Sequence, residues 1–507
     1  MAINSVNPKT LSEFYYKNKK YFHRFLDNIK TTNPNSIYRI INATLVKNPY
    51  SSSFPLSYFS NKVESGSLIV RFIRVSFKYY LKNIYLFICF FISFIIYRVL
   101  NKKEIKVEKN LINVPMLIDK VILEKEYSEK YFESLYSVFE KNNVKYTFVP
   151  KLYNIQTKPF KMISLIKILN KDKKSFLFEY ELLSFIDFIK IFYFFVLYPF
   201  QTLKLLSNEK TKIAKIYNNE LINDIYSVNI DAFTKYIFGK NIAKLDSIKK
   251  IYSWSEFQVT ERSFNYGIRE NSDFIKIIAC QFFLNYETYF NTYVDDIDEK
   301  DKTAPHKVLV NGNYYIIKRE LIEYKVGVAL RYKGLLDFEK KNKKDSNSIV
   351  LLGSYVIKDT NNMLNFVQSF DKIQFKNHPA VSTKSLNLSK NIELIDDNIY
   401  KIFENCNFVI GTASGTLVEA VSCGVSVIVV ASNDNLTANP LVEYGQGKIW
   451  DIVFNKEDIY FKYRKLLDYR EQNPDEIDSI SAWYKGNFFQ EPTEENILKA
   501  FQIKDGD

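Results

Sequence analysis

The residues best suited to chemistry lie between Phe408 and Ser432, in FVIGTASGTLVEAVSCGVSVIVVAS. An apolar strand runs into Gly411-Thr412, turns through Ala413-Ser414-Gly415-Thr416 and opens a helix. In a parallel sheet the carboxyl end of such a strand faces the ligand crevice. The first turn of the helix presents unpaired N–H groups and the positive end of the helix dipole, a construction that attracts phosphate. Ser414 and Thr416 add hydroxyl donors, and Gly411 and Gly415 let backbone approach a ligand closely. Glu419, four residues beyond Gly415, is expected either to reach a ribose hydroxyl or to cap the turn.

Glycine and serine also punctuate ordinary strand-to-helix turns, so a second element carries the weight. KIQFKNHP (372–379) predicts a short strand of the same sheet that ends in His378-Pro379. Pro379 fixes the chain after the imidazole, and His378 is expected to donate to a phosphate oxygen in the same crevice. In the other half of the chain, Glu256 in YSWSEFQVTERSFNYG follows an expected strand at Ile248–Tyr252, beside Trp254 and Gln258. Glu256 and Glu261 read equally as surface residues of a helical turn. Asp296-Ile297-Asp298 has the D-x-D spacing that can hold a metal and a diphosphate. It lies in DDIDEKDKTAPH (295–306), expected as a solvated acidic loop, so a metal-independent site is expected.

The elements that position these groups follow from periodicity. SIVLLGSYV (348–356), KIQFKNHP, NIELID (391–396), FVIGT (408–412) and VSVIVVAS (425–432) read as strands, separated by helical stretches around 360–370, 398–406 and 414–424. This alternation predicts a parallel, doubly wound α/β sheet. From about residue 106 a looser α/β rhythm predicts a first half: a helix at 128–143, a strand at 144–150, the strand before Glu256 and another at 275–283. The halves are expected to meet near 305–345, where DFEKKNKKDSNS raises the charge. The expected organisation is a helical extension at 1–105, an acceptor-side domain at 106–335, a donor-side domain at 336–480 and a helical tail at 481–507.

Two apolar stretches raise the membrane question. Asn83–Tyr97 is 15 uncharged residues between Lys82 and Arg98, and Ile191–Leu203 is a shorter stretch containing Pro199. A spanning helix needs about 20 apolar residues. Both carry aromatic rings and basic residues at their ends, as interfacial helices do. They read as buried core helices, as monotopic or re-entrant attachment, or, less readily, as spans.

The donor-side series, KNHP followed by NIELIDDNIYKIFENCNFVIGTASGTLVEAVSCGVSVIVV, resembles the donor-binding domain of bacterial GT-B glycosyltransferases that build surface polysaccharides. It is most similar to the His-Pro group of sialyltransferases and Kdo transferases and to surface carbohydrate biosynthesis proteins, over residues 345–455 or so. The resemblance implies a GT-B fold, two Rossmann-like domains facing a cleft. It implies donor-phosphate contacts at His378, Ser414 and Thr416, with Pro379, Gly411, Thr412, Gly415 and Glu419 completing the donor site. NLTANP (435–440) and Glu443 would close the pocket. It implies a catalytic carboxylate in the first half, for which Glu256 is the candidate, and a keto-sugar carboxylate for Arg262 and Arg269.

The implied activity is transfer of a sugar, such as Kdo or sialic acid from a CMP donor, onto a lipid-linked capsule or O-antigen glycan. The enzyme would act as a peripheral or monotopic protein at the cytoplasmic face of a bacterial plasma membrane. The nucleotide sugar would be co-substrate, with no cofactor and no metal. The alternatives are a teichoic-acid-type glycerophospho- or ribitol-phosphotransferase, a nucleotide-sugar 2-epimerase and a non-enzymatic membrane scaffold.

Composition is consistent with these limits. Of 507 residues 47% are hydrophobic, 16% are aromatic and only 14 are glycine, which sets aside disordered and low-complexity classes. The net charge of +13 comes from 70 Lys and Arg against 57 Asp and Glu. Lysine supplies most of the excess, and no Arg-rich or aromatic basic face points to nucleic acid. Four cysteines without paired spacing and three histidines leave no Cys/His zinc pattern. The N-terminal stretch lacks a secretory apolar region, so a cytosolic protein with reduced thiols is expected.

Overall fold

A computed structural model describes residues 7–33, 36–49, 51–62, 64, 66–153, 155–339, 348–379 and 381–503. Two six-stranded sheets, every strand pairing parallel, form two Rossmann-like domains in the GT-B manner. The first sheet holds β1 (Asn110–Leu117), β2 (Tyr146–Tyr153), β3 (Lys250–Trp254), β4 (Lys276–Gln281), β5 (Lys307–Val310) and β6 (Glu323–Val326), in the order β2-β1-β3-β4-β5-β6. The second holds β7 (Ile349–Leu352), β8 (Ile373–Lys376), β9 (Ile392–Leu394), β10 (Phe408–Gly411), β11 (Ser426–Val430) and β12 (Trp450–Val453), in the order β12-β11-β10-β7-β8-β9. That second order is the doubly wound one, and its direction of winding reverses between β7 and β10. Ligands bind outside the carboxyl ends of the strands at such a reversal.

The central strands of the second sheet are buried at every residue: IVLL, FVIG and SVIVV expose nothing on either face because helices cover both. In the first domain two helices, Ile230–Ile242 and Val259–Arg269, pack backbone against backbone. A Cβ on Gly239 would stand 2.4 Å from Phe264 O, and one on Gly267 would stand 2.2 Å from Tyr236 O, so only glycine permits the crossing. After the second sheet the chain returns to the first domain. The helix Pro474–Phe488 stacks Phe488 on Tyr314 at 4.3 Å, and Tyr252 Oη donates to Phe501 O at 3.2 Å.

Several expected elements change. DDIDEKDKTAPH is not a solvated loop: Asp296–Lys300 is a helix, with Asp298 buried. The strand before Glu256 lies at Lys250–Trp254 rather than 248–252, and β1, β5 and β6 add to the first sheet. Of the charged DFEKKNKKDSNS, residues 340–347 lie outside the described residues.

The two apolar stretches belong to longer helices. Asn83–Tyr97 sits inside Leu68–Leu100, a helix of 33 residues, and the second stretch sits inside Phe185–Leu203. Pro199 does not break its helix. Having no N–H, it leaves the carbonyl of Phe195 free, and Tyr79 of the long helix donates its hydroxyl to that oxygen at 3.0 Å. Neither helix is a buried core helix. One face of the first turns Tyr79, Asn83, Leu86, Phe90 and Phe94 inward, while Ile69, Ile73, Phe77, Leu81, Ile84 and Ile88 form an exposed apolar stripe at spacings of three and four. Ile186, Ile189, Phe192 and Tyr193 continue that exposure on the second.

Candidate active site between the domains

The turn after β10 is built from an uncommon backbone. Ala413 has φ +48°, the left-handed region that a residue with a Cβ adopts only when its surroundings hold it there. Its N–H donates to Ala438 O at 3.1 Å, which ties the turn to the NLTANP segment. Thr412 beside it is buried, and its Oγ1 has no hydrogen-bond partner among the described residues. Ser414, Gly415 and Thr416 remain partly exposed at the start of the helix Thr416–Ser422.

His378 stands at the end of β8. A Cβ on Gly353, at the end of β7, would lie 2.9 Å from His378 N, so a bare α-carbon there lets the His-Pro segment close against β7. Burial lowers the His378 pKa, which leaves a neutral imidazole able to donate one N–H. Its ring faces Tyr355 at 6.2 Å, while Pro379 is exposed.

The carboxyl ends of β7, β10 and β11 open on a crevice of about 440 Å³. Tyr355, Asp359, Ala413, Asn435 and Ala438 form its second-domain side. Ser51–Ser53, Asp224, Ser227, Thr288 and Tyr289 close it from the first domain, and the hydroxyls of Tyr289 and Tyr355 are hydrogen-bonded across it. Asp224 is the notable group. Burial pushes its carboxyl up to about 7, against the Thr44 and Ser52 hydroxyls that donate to it, and the neighbouring Glu220 pushes it further. Burial also raises Asp359, to which Ser432 Oγ donates at 2.7 Å.

The sequence-derived residues divide into those at the crevice and those spent elsewhere. Ala413 of the Gly411–Thr416 turn and Asn435 line its second-domain side, whereas His378 does not line it and reaches it through its ring contact with Tyr355. Gly415, expected to admit a ligand, instead admits the other domain: a Cβ there would meet Leu284 Cβ at 2.9 Å. Glu419 is buried, which raises its pKa, and accepts a hydrogen bond from Tyr400 Oη at 2.5 Å, so its carboxylate is already engaged. Glu443 is exposed. Glu256 stands at the carboxyl end of β3, where burial and then the charge of Glu261 raise its pKa. Trp254 Nε1 donates to its Oε1 at 3.3 Å. It does not line the crevice.

Arg262 and Arg269 are not available to a substrate. Arg262 is buried, paired with Asp298 and donating to Phe257 O and Asn291 O at 2.9 Å each. Arg269 grips Glu299 with two bonds of 2.6 and 2.7 Å. Asp298 would be raised by burial, but Arg262 and Lys30 hold it below the ordinary carboxylate value. Asp296 accepts from the N–H of Leu321 at 2.8 Å. The D-x-D pair is therefore consumed by internal bonds, and no cluster of His, Cys, Asp and Glu suited to a metal occurs among the described residues.

Asp224, Asp359, Tyr289 and Tyr355 carry no sequence signal of a site, because only long-range packing brings them together.

No protein-family model and no curated protein matches the chain. Among solved structures it is similar to UDP-GlcNAc 2-epimerase from Neisseria meningitidis bound to UDP-GlcNAc, at TM-score 0.43 and 9% identity over 78% of this chain and 99% of that one. It is similar to Acinetobacter baumannii MurG at TM-score 0.40 and 8% identity, over 78% and 99%. The calicheamicin glycosyltransferase CalG4 matches at TM-score 0.39 and 8% identity, over 78% and 97%.

Proposed function

We propose that the chain is a GT-B glycosyltransferase that binds a nucleotide-sugar donor in the interdomain crevice. The observation that carries this reading is the convergence at the winding reversal of the second sheet. There the strained Ala413 turn and the unpartnered Thr412 hydroxyl stand at the carboxyl end of β10, and the neutral His378 stands at that of β8, with β7 between the two strands. Backbone N–H groups of the turn and the His378 imidazole would take the donor's phosphate oxygens, with no metal required. A carboxylate must remove the proton of the acceptor hydroxyl as it attacks the anomeric carbon. Glu256, with its raised pKa at the carboxyl end of β3, is the group we assign, although it does not line the crevice itself.

The acceptor is taken to be lipid-linked, and the enzyme to work at the cytoplasmic face of a membrane. The support is the exposed apolar stripe of Leu68–Leu100 and its continuation on Phe185–Leu203, bordered by Arg71, Arg74, Lys78 and Lys82. A helix held to the protein along one face and apolar on the other suits monotopic attachment. Bordering lysines and arginines add attraction to anionic headgroups.

A thermal-shift series with CMP-, CDP-, UDP- and GDP-linked donors tests the assignment. At least one donor should raise the melting temperature, and His378→Ala should erase that rise while the circular dichroism spectrum is preserved. A rise that survives His378→Ala, or no rise with any of the four, overturns it.

A further inference from the structure

Among the described residues, no lysine or arginine lines the crevice. Its charged groups are both carboxylates, Asp224 on the first-domain wall and Asp359 on the second. Its other polar groups are hydroxyls and amides. One of these, Thr288 Oγ1, is buried without a partner among the described residues. Two tyrosines, Tyr289 and Tyr355, add aromatic surface. The volume of about 440 Å³ lies in the range of small-molecule sites, roughly 300–1,000 Å³.

We infer that this crevice accepts an uncharged, polyhydroxylated sugar ring and rejects sugars that bear a carboxylate or a phosphate. The inference rests on the reading of the crevice as the donor-sugar site and specifies its substrate class. Carboxylates and amides are acceptors and donors matched to sugar hydroxyls, and tyrosine faces pack against the apolar C–H faces of a pyranose ring. Above about pH 7, where Asp224 has given up its proton, an acidic sugar would face it with no lining cation among the described residues to offset it, and like charges brought together without a counter-charge are strongly disfavoured. The two arginines that could have received a keto-sugar carboxylate are closed in ion pairs with Asp298 and Glu299. The crevice therefore favours a neutral hexose over Kdo or sialic acid.

UDP-glucose and UDP-glucuronate share nucleotide and ring and differ at one carboxylate, so the full chain is titrated with both by calorimetry at pH 8. Methyl glucoside and methyl glucuronide, followed by saturation-transfer NMR, repeat the comparison without a nucleotide. The neutral member of each pair should bind about tenfold tighter or better. Asp224→Asn combined with Asp359→Asn should bring the ratio toward one, and Asp359→Asn alone, on the second-domain wall, should lower it if the double variant does not fold. An acidic member that binds as tightly as its neutral partner overturns the inference, as does a ratio unmoved by these substitutions. If methyl glucoside binds with the expected preference while UDP and both UDP-sugars do not bind, the sugar crevice stands and the nucleotide reading falls. If neither glycoside nor nucleotide sugar binds, the crevice is not a sugar site.

Discussion

Asp224 makes the fold's stability depend on pH in a direction opposite to that of most carboxylates. It is buried, it accepts from Thr44 and Ser52, and Glu220 stands beside it. The other titratable groups that face it, Tyr198 and Tyr217, are held protonated by burial, and no cation is among the main causes of its shift. Below about pH 4 both folded and unfolded states hold the proton, and the group costs nothing. Between about pH 4 and 7 the unfolded chain releases the proton while the folded chain keeps it, so stability falls as pH rises. Above about pH 7 the loss levels off. A carboxyl moved from 3.8 to about 7 costs about 4 kcal/mol when fully ionised, of which about 3 kcal/mol develops between pH 5 and 8. Asp224→Asn keeps the shape and an acceptor for Thr44 but cannot ionise. Melting temperatures of wild type and variant, followed by scanning fluorimetry from pH 5 to 8, should therefore diverge in the variant's favour as pH rises, by about 4 °C on the usual scale for a domain of this size. Contributions from other buried acids, such as Asp231, are common to both proteins and cancel in the difference. Parallel curves would refute the assignment of a protonated, buried Asp224.

Two further outcomes follow from the site and the surface. Glu256→Gln should leave donor binding unchanged and lower transfer by at least about a hundredfold, the scale of a lost general base; retained turnover in a radiolabelled-sugar assay would move the base elsewhere. Ile73→Glu, Ile84→Glu and Ile88→Glu together place three charges on the exposed stripe, where they disturb no core. The variant should remain folded and shift from the pellet to the supernatant in sedimentation with anionic vesicles. Equal sedimentation of both forms would remove the stripe from membrane attachment.

The second domain was largely legible in the sequence, and the first only in part, for identifiable reasons. IVLL, FVIG and SVIVV are uninterrupted apolar runs bounded by turn residues, the mark of parallel strands covered on both faces. β1, in contrast, reads NLINVPML, with two asparagines and a proline inside. The fold tolerates Pro115 because β1 pairs with β3 only as far as Asn113, so the later residues need hydrogen bonds on one side alone. β5 and β6 are four residues each, too short to show a period. The strand-end positions of the Gly411–Thr416 turn and of His378 were legible because each pattern is local to its segment. Arg262 and Arg269 misled because their partners, Asp298 and Glu299, lie 36 and 30 residues away. Asp298 and Glu299 read as solvated for the same reason. Asp224 and Asp359 belong to different domains, and neither neighbourhood announces a site.

Among the contacts that join the apolar helix to the crevice wall, Asn83 supplies the buried hydrogen bonds. It is fully buried in the middle of Leu68–Leu100, and its amide donates to Val228 O at 3.2 Å while its oxygen accepts from Ile230 N at 2.8 Å. Lys82 beside it binds Tyr226 O. The segment that these two residues hold, 226–230, continues directly from Asp224 and contains Ser227, so one wall of the crevice hangs on the helix whose other face is the apolar stripe. Asn83→Leu fills the space but abandons both backbone groups. Each buried group left without a partner costs about 1–3 kcal/mol. The expected result is a protein that still sediments with vesicles, since the stripe is untouched, but whose affinity for a neutral sugar probe falls because Asp224 and Ser227 lose their registration. If Asn83→Leu lowered vesicle binding and left sugar affinity intact, the helix would serve attachment alone and the crevice wall would be held by other contacts.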